Sequence, residues 1–250
     1  MAGIAFVLLL LWIGQRRLIY LPDQSSPLSP PQAEEVSFLT DDGLRLRAWL
    51  LGDGDRLVMV FPGNAGHRGH RLLLAEELTN HGLAVLLTDY RGYGGNPGSP
   101  SENGLLHDAR AARRWAEQSG WTHFIYLGES LGGGPAVALA SEQPPAGMVL
   151  RSPFPSLVAV GEVHYPFLPV RILLKDRFEV AAHLASPSYP LVVVAGSADS
   201  VVPLGLSRSV AEAAGAELVT VDDADHNDPE LAWGPQLVEA VVRVASHMPP

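Results

Sequence analysis

Five residues near the middle of the chain, Gly128-Glu129-Ser130-Leu131-Gly132, carry the pattern of a serine set on a sharp turn. A serine that attacks a carbonyl carbon must project its hydroxyl clear of the backbone where a strand turns into a helix. Bulky neighbours would clash there, hence glycine on both sides. The flanking residues supply such a turn: Phe124-Ile125-Tyr126-Leu127 reads as a buried strand and Gly133 to Ala140 as a helix. The competing reading is a glycine-rich helix start with Ser130 as an ordinary N-cap. The chain has no cysteine. A thiol nucleophile, a thiolate zinc site and a disulfide framework are therefore out of consideration.

A serine hydroxyl needs a base to take its proton and an acid to hold that base. Asp199, in Gly196-Ser197-Ala198-Asp199-Ser200, falls just beyond an apolar strand at Leu191 to Ala195. His226, in Asp225-His226-Asn227-Asp228, falls just beyond a strand at Glu217 to Val221. Both stand past C-terminal strand ends, the edge where open α/β sheets place their sites. His67, His70, His107, His123, His164 and His183 read as surface or core histidines. Asp222, Asp223, Asp225 and Asp228 are alternative acids, but none sits on a separate strand end able to hold the imidazole from behind. The oxyanion of an acyl-transfer intermediate needs preorganised donors. The backbone N–H of Leu131, at the start of the helix after Ser130, is one candidate. The N–H of Asn64, in the loop Pro62-Gly63-Asn64-Ala65-Gly66, is the other.

These residues need a scaffold, and the chain past residue 34 alternates strand and helix. Glu35 to Leu39 and Leu44 to Leu51 flank an Asp-Gly turn, which predicts a hairpin. Leu57 to Phe61, Ala84 to Thr88, His123 to Leu127, Met148 to Arg151, Leu191 to Ala195 and Glu217 to Val221 are short strands. Helical spacing covers Arg71 to His81, Leu105 to Gln118, Ser207 to Ala214 and Pro229 to Ser246. Two antiparallel strands followed by β-α repeats predict an α/β sheet with helices on both faces. The stretch Ser152 to Pro190 is rich in Phe, Tyr, Leu and Ile, apolar enough to line an acyl pocket or to pack on the sheet.

The first residues differ in character. Ala2 to Gly14 is apolar and uncharged, followed by Gln15-Arg16-Arg17 and a resumed apolar run to Pro22. A membrane anchor, a cleaved signal peptide and a buried core helix all accommodate such a segment. We expect residues 1–21 to be a membrane anchor outside the globular fold. Residues 22–33 are a proline-rich linker and residues 34–250 the folded domain. The arginines after the apolar run favour a cytoplasmic domain. A net charge of −10 argues against nucleic-acid binding. It also disfavours tight docking on an anionic surface, so membrane contact should depend on the N-terminal segment. Gly92-x-Gly94-x-x-Pro97 lacks the third glycine of a dinucleotide fingerprint, and no Walker, zincin or EF-hand pattern occurs. No cofactor or metal is expected.

Phe61-Pro62-Gly63-Asn64-Ala65-Gly66, Asp89 to Glu102 (D-Y-R-G-Y-G-G-N-P-G-S-P-S-E), Leu127 to Gly134 and Gly196 to Pro203 recur in the order seen in α/β-hydrolases. Together with Arg16-Arg17-Leu18-Ile19-Tyr20-Leu21-Pro22 they resemble a narrower branch, the small membrane-anchored serine hydrolases of the bud-emergence type and their ABHD relatives. The resemblance implies a mostly parallel eight-stranded sheet with helices on both faces and a short cap segment. It implies a Ser130-Asp199-His226 triad with Asn64 and Leu131 as oxyanion donors. The activity implied is hydrolysis of carboxylic ester or thioester bonds, with amides allowed, on a small or lipid-like acyl substrate. Pro62 departs from the histidine that many relatives carry before the glycine, so a polar role for that side chain is lost. A second reading of the same chain is a catalytically silent, membrane-tethered interaction module, since fold alone does not confer activity.

Overall fold

The computed structural model describes residues 2–184 and 187–246. Eight strands form one sheet: β1 (Ala33–Leu39), β2 (Arg45–Leu51), β3 (Arg56–Phe61), β4 (Ala84–Thr88), β5 (His123–Glu129), β6 (Gly147–Arg151), β7 (Leu191–Gly196) and β8 (Glu217–Val221). Their order is β8-β7-β6-β5-β3-β4-β2-β1. The β1–β2 and β2–β4 pairs are antiparallel and the other pairs are parallel. The expected eight-stranded, mostly parallel sheet is thus present. The Asp-Gly hairpin turn forms with Gly43 at φ +87°, a conformation open to glycine at little cost.

The central strands are buried along almost their whole length, which explains why they read as unbroken apolar runs. Successive side chains point to opposite faces. Leu57, Met59 and Phe61 of β3 join one core with α3 (Glu102–Gln118), α4 (Gly133–Glu142) and α8 (Leu204–Ala214). Val58 and Val60 join the other core, with α2 (Leu72–Asn80) and α10 (Pro235–Ser246). Helix α3 starts three residues earlier than its apolar spacing shows, because Ser101 Oγ accepts the Gly104 N–H at 3.1 Å and caps it.

One expectation changes. The single helix over Pro229 to Ser246 is two helices, α9 (Pro229–Ala232) and α10, since Pro235 cannot continue the preceding turn. Between β6 and β7 the chain forms three short helices, α5 (Leu157–His164), α6 (Val170–Leu173) and α7 (Val180–His183), which make up the short cap segment.

The end of the N-terminal segment is in contact with the rest of the chain. Helix α1 (Ala2–Ile19) runs through the arginines, and its last turns are bound to the cap. Arg16 places two hydrogen bonds on Asp176, at 2.8 and 3.0 Å, and Tyr20 Oη donates a third at 3.1 Å. Gln15 Nε2 donates to the Leu173 carbonyl at 2.9 Å, while its Oε1 accepts the Lys175 N–H at 2.8 Å. Leu21–Pro22 then lies parallel to Ala65–Gly66, and Asp23 joins the 90s loop by accepting the Gly94 N–H at 2.8 Å. The apolar run hid these contacts because the partner carboxylate lies 160 residues away. Among the described residues, no helix is long and apolar enough to cross a membrane.

Candidate active site

Ser130 follows the last residue of β5 with φ +50°, a left-handed conformation that a non-glycine residue adopts at a cost. The surrounding backbone enforces it. A Cβ on Gly132 would run into the backbone oxygens of Phe61 and Pro62, and one on Gly128 would sit 2.9 Å from the Gly133 Cα. Only glycine fits at these two places, so the nucleophile pattern is also a packing requirement. Ser130 opens a short helical turn ahead of α4. The N–H groups at such a start have no partner within the helix, and Leu131 supplies one of them.

Asp199 and His226 meet at that same edge. His226 Nδ1 lies 2.8 Å from Asp199 Oδ2, with both side chains buried. That contact assigns the proton to Nδ1 in the neutral ring and leaves Nε2 as the lone-pair nitrogen. The other Asp199 oxygen accepts the N–H groups of Val201 and Val202 at 3.0 and 2.7 Å. Burial pushes the Asp199 carboxyl upward, but the bond and charge of His226, the Val202 N–H and the Ser152 hydroxyl outweigh it and hold the group below its ordinary range. Among the described residues, no hydrogen bond of 3.5 Å or less joins Ser130 Oγ to His226. Asp225, weighed as an alternative acid, instead accepts the His226 backbone N–H at 2.7 Å and the Ser200 N–H at 2.7 Å. It fixes the loop and leaves the imidazole to Asp199.

Asn64 is pinned from three directions. Its carbonyl accepts the Leu21 N–H and the Tyr93 hydroxyl, both at 2.9 Å, and its amide donates to the Ile19 carbonyl at 2.9 Å. Gly63, one residue earlier, packs against the elbow, and a Cβ there would lie 3.5 Å from the Glu129 backbone carbonyl oxygen. The 63–64 segment therefore reaches the elbow in a fixed position, with a Cβ on Gly63 falling only 3.7 Å from that of Ser130.

Three residues that sequence reasoning did not single out hold this arrangement. Glu129, the variable residue before Ser130, is buried between Arg71 (Nε to Oε2, 3.0 Å) and Arg151 (Nη2 to Oε2, 3.8 Å). Full burial would raise its carboxyl, yet the two guanidinium charges keep it below the usual value. Arg151 also donates to the His226 carbonyl at 2.9 Å. Ser152, at φ +47°, donates to Asp199 Oδ2 at 2.8 Å. Glu129 and Arg151 are register partners on β5 and β6, a signal open to inspection only once those strands are taken as neighbours. The 90s loop is a brace: Asp89 binds Arg68 at 2.7 Å, and Arg91 binds Asp108 and Asp42. Asp23, His67 and His70 also bring ligand-type atoms within 4.8 Å of one another. His67 Nδ1 already accepts the Gly69 N–H at 3.1 Å, so the group's evident work is to tie the linker to the turn before α2.

A cavity of about 560 Å³ opens at Ser130, Leu131 and Asn64. Its walls come from α1, α5, α6 and the Ser200–Val202 turn, and no charged side chain lines it among the described residues.

A family model described as "Serine aminopeptidase, S33" matches residues 52–175, which include Asn64 and Ser130. The uncharacterized protein Rv2307c of Mycobacterium tuberculosis is 45% identical over 250 residues, covering 95% of this chain and 89% of its own. The human protein ABHD12B is 33% identical over 186 residues, covering 66% of this chain and 51% of its own. Among solved structures, a Pyrococcus furiosus esterase superposes with a TM-score of 0.76 at 19% identity, covering 92% of this chain and 98% of that one. The sheet order, the serine at the strand-to-helix turn and these relatives agree: the chain has the α/β-hydrolase fold and belongs to that superfamily.

Proposed function

We propose that this chain is a serine hydrolase that cleaves carboxylic esters or thioesters through an acyl-enzyme on Ser130. The observation that carries the reading is the buried 2.8 Å contact between His226 Nδ1 and Asp199, placed at the same sheet edge as the strained Ser130 turn. With Nδ1 held as the donor, Nε2 accepts the Ser130 proton as Oγ attacks the carbonyl carbon. Rotation about the Ser130 and His226 side-chain bonds brings the pair together when substrate binds, as loose contacts in unliganded sites commonly do. The N–H groups of Asn64 and Leu131 receive the tetrahedral oxyanion. His226 returns the proton to the departing alcohol or thiol. It then takes one from water, which releases the acid and restores Ser130.

The cavity favours acyl esters over peptides with a free amino terminus. An aminopeptidase must hold an α-ammonium group, for which a carboxylate is the natural partner, and the described lining has none. Hydrolysis of p-nitrophenyl butyrate tests the reading. Turnover by the wild type that is abolished in Ser130→Ala and in His226→Ala supports it; turnover that survives in both overturns it.

Membrane contact belongs to the same proposal. Phe6, Leu10 and Ile13 of α1 are 52–63% exposed, and Phe167 and Ile172 of the cap about 80%. The C-terminal turns of α1 are tied to the cap, so the helix lies in the interface plane of a bilayer with these side chains in the acyl region.

A further inference from the structure

The wall of the cavity opposite α5 and α6 comes from the other end of the chain. Leu11, Leu18 and Ile19 of α1 line it, and Val160, Leu168 and Leu173 of the cap line the same cavity. Polar latches hold this wall in place. Gln15 is buried, with Nε2 on the Leu173 carbonyl and Oε1 on the Lys175 N–H. The Lys175 ammonium sits 3.6 Å from the centroid of Trp12, and Arg16 and Tyr20 converge on Asp176. The Ile19 carbonyl binds the Asn64 side chain, so the near end of the wall is joined to the loop beside Ser130. From Ile19 back to Leu11 is eight residues, about 12 Å along the helix. An extended chain advances about 1.2 Å per bond, so that distance accommodates roughly ten carbons.

We infer that α1 is the chain-length gauge of the acyl site, with Leu11 marking its far end and Gln15 holding it to the cap, and that the substrate is an ester of an unbranched acyl chain of about ten carbons. This rests on the serine-hydrolase reading above. A domain without α1 would leave the pocket open along one side, with an acyl chain lying partly in water. With α1 latched, each added methylene is removed from water until the chain reaches Leu11. Burial of one methylene raises the specificity constant by about fourfold.

The test is a p-nitrophenyl ester series from two to sixteen carbons, read as kcat/KM, with a fluorophosphonate probe and circular dichroism run on each variant. The wild type should climb by about fourfold per methylene to near ten carbons and then level. Leu11→Trp fills the far end, so the ratio of ten-carbon to four-carbon kcat/KM should fall by about 60-fold, the equivalent of three methylenes. Leu11→Ala should move the levelling point to longer chains. Gln15→Leu unlatches the wall and should abolish the levelling point. A wild-type profile flat beyond four carbons would overturn the inference. So would unchanged profiles in folded, probe-labelled Leu11→Trp, Leu11→Ala and Gln15→Leu. Absence of both probe labelling and ester turnover in the folded wild type would instead overturn the hydrolase mechanism itself, and this inference with it.

Discussion

Glu129 offers the sharpest perturbation, because the whole site leans on a carboxylate that does no chemistry. It is buried between Arg71 at 3.0 Å and Arg151 at 3.8 Å. At an effective dielectric of about 20 the two gross attractions are about 5.5 and about 4.4 kcal/mol, most of which offsets the cost of burying the three charges. Glu129→Gln keeps the shape but removes the charge, leaving the partly buried Arg71 and the buried Arg151 without their shared carboxylate. Removing one partner of a buried pair costs about 3–5 kcal/mol. For a domain of this size that is a fall in Tm of about 6–20 °C. Arg151 also holds the His226 carbonyl, so the base loses its position and kcat should drop by up to about 100-fold, the lower end of what a positioned base contributes. Differential scanning calorimetry and ester turnover read the two effects. Adding Arg151→Met to Glu129→Gln removes one stranded cation, and the double variant should regain part of the Tm. A single variant within 2 °C of wild type, about 1 kcal/mol or less, would refute the brace. So would a double variant less stable by the sum of both single losses.

Three further outcomes follow from the geometry. Asp199→Asn should keep the fold but lower kcat by about 10⁴-fold, since the amide no longer selects the Nδ1–H tautomer of His226. Steady-state kinetics on the folded variant checks it. Ser152→Ala removes one hydrogen bond from a carboxylate whose folded pKa lies below its unfolded one. The stability from that shift is complete above about pH 5 and is lost as the pH falls past about 3.9 towards the folded value. The variant should therefore be about 1.5–3 kcal/mol less stable at pH 7, with the gap to wild type narrowing in acid. Urea unfolding at pH 7 and pH 3.5 reads it, and a gap independent of pH would contradict it. Wild-type protein should float with phosphatidylcholine vesicles, and Phe6→Ser with Ile13→Ser should release it; equal flotation of both would remove α1 as the contact.

The scaffold was legible because its periodicities are local. Strands buried on both faces leave unbroken runs such as Leu57 to Phe61, and the Ser130 turn declares itself by Gly128 and Gly132, each required by a backbone approach. The placement of Asp199 and His226 followed from the rule that strand ends carry the site, and their mutual contact agrees with it. What stayed hidden were contacts between distant segments. Glu129 and Arg151 become partners only through the β5–β6 register. Ser152 reads as an ordinary loop serine until its positive φ turns it onto Asp199. The contacts of α1 were hidden for another reason: hydropathy averages over a helix, whereas Gln15 and Arg16 act singly, through partners 158–160 residues away.

The proposed activity turns on covalent chemistry at Ser130. Intact-protein mass spectrometry after exposure to a fluorophosphonate, followed by tandem sequencing of the modified peptide, tests it most directly. One adduct per chain is expected, on Ser130, absent in Ser130→Ala and much slowed in His226→Ala. No adduct on folded protein, or an adduct at another residue that persists in Ser130→Ala, would contradict it.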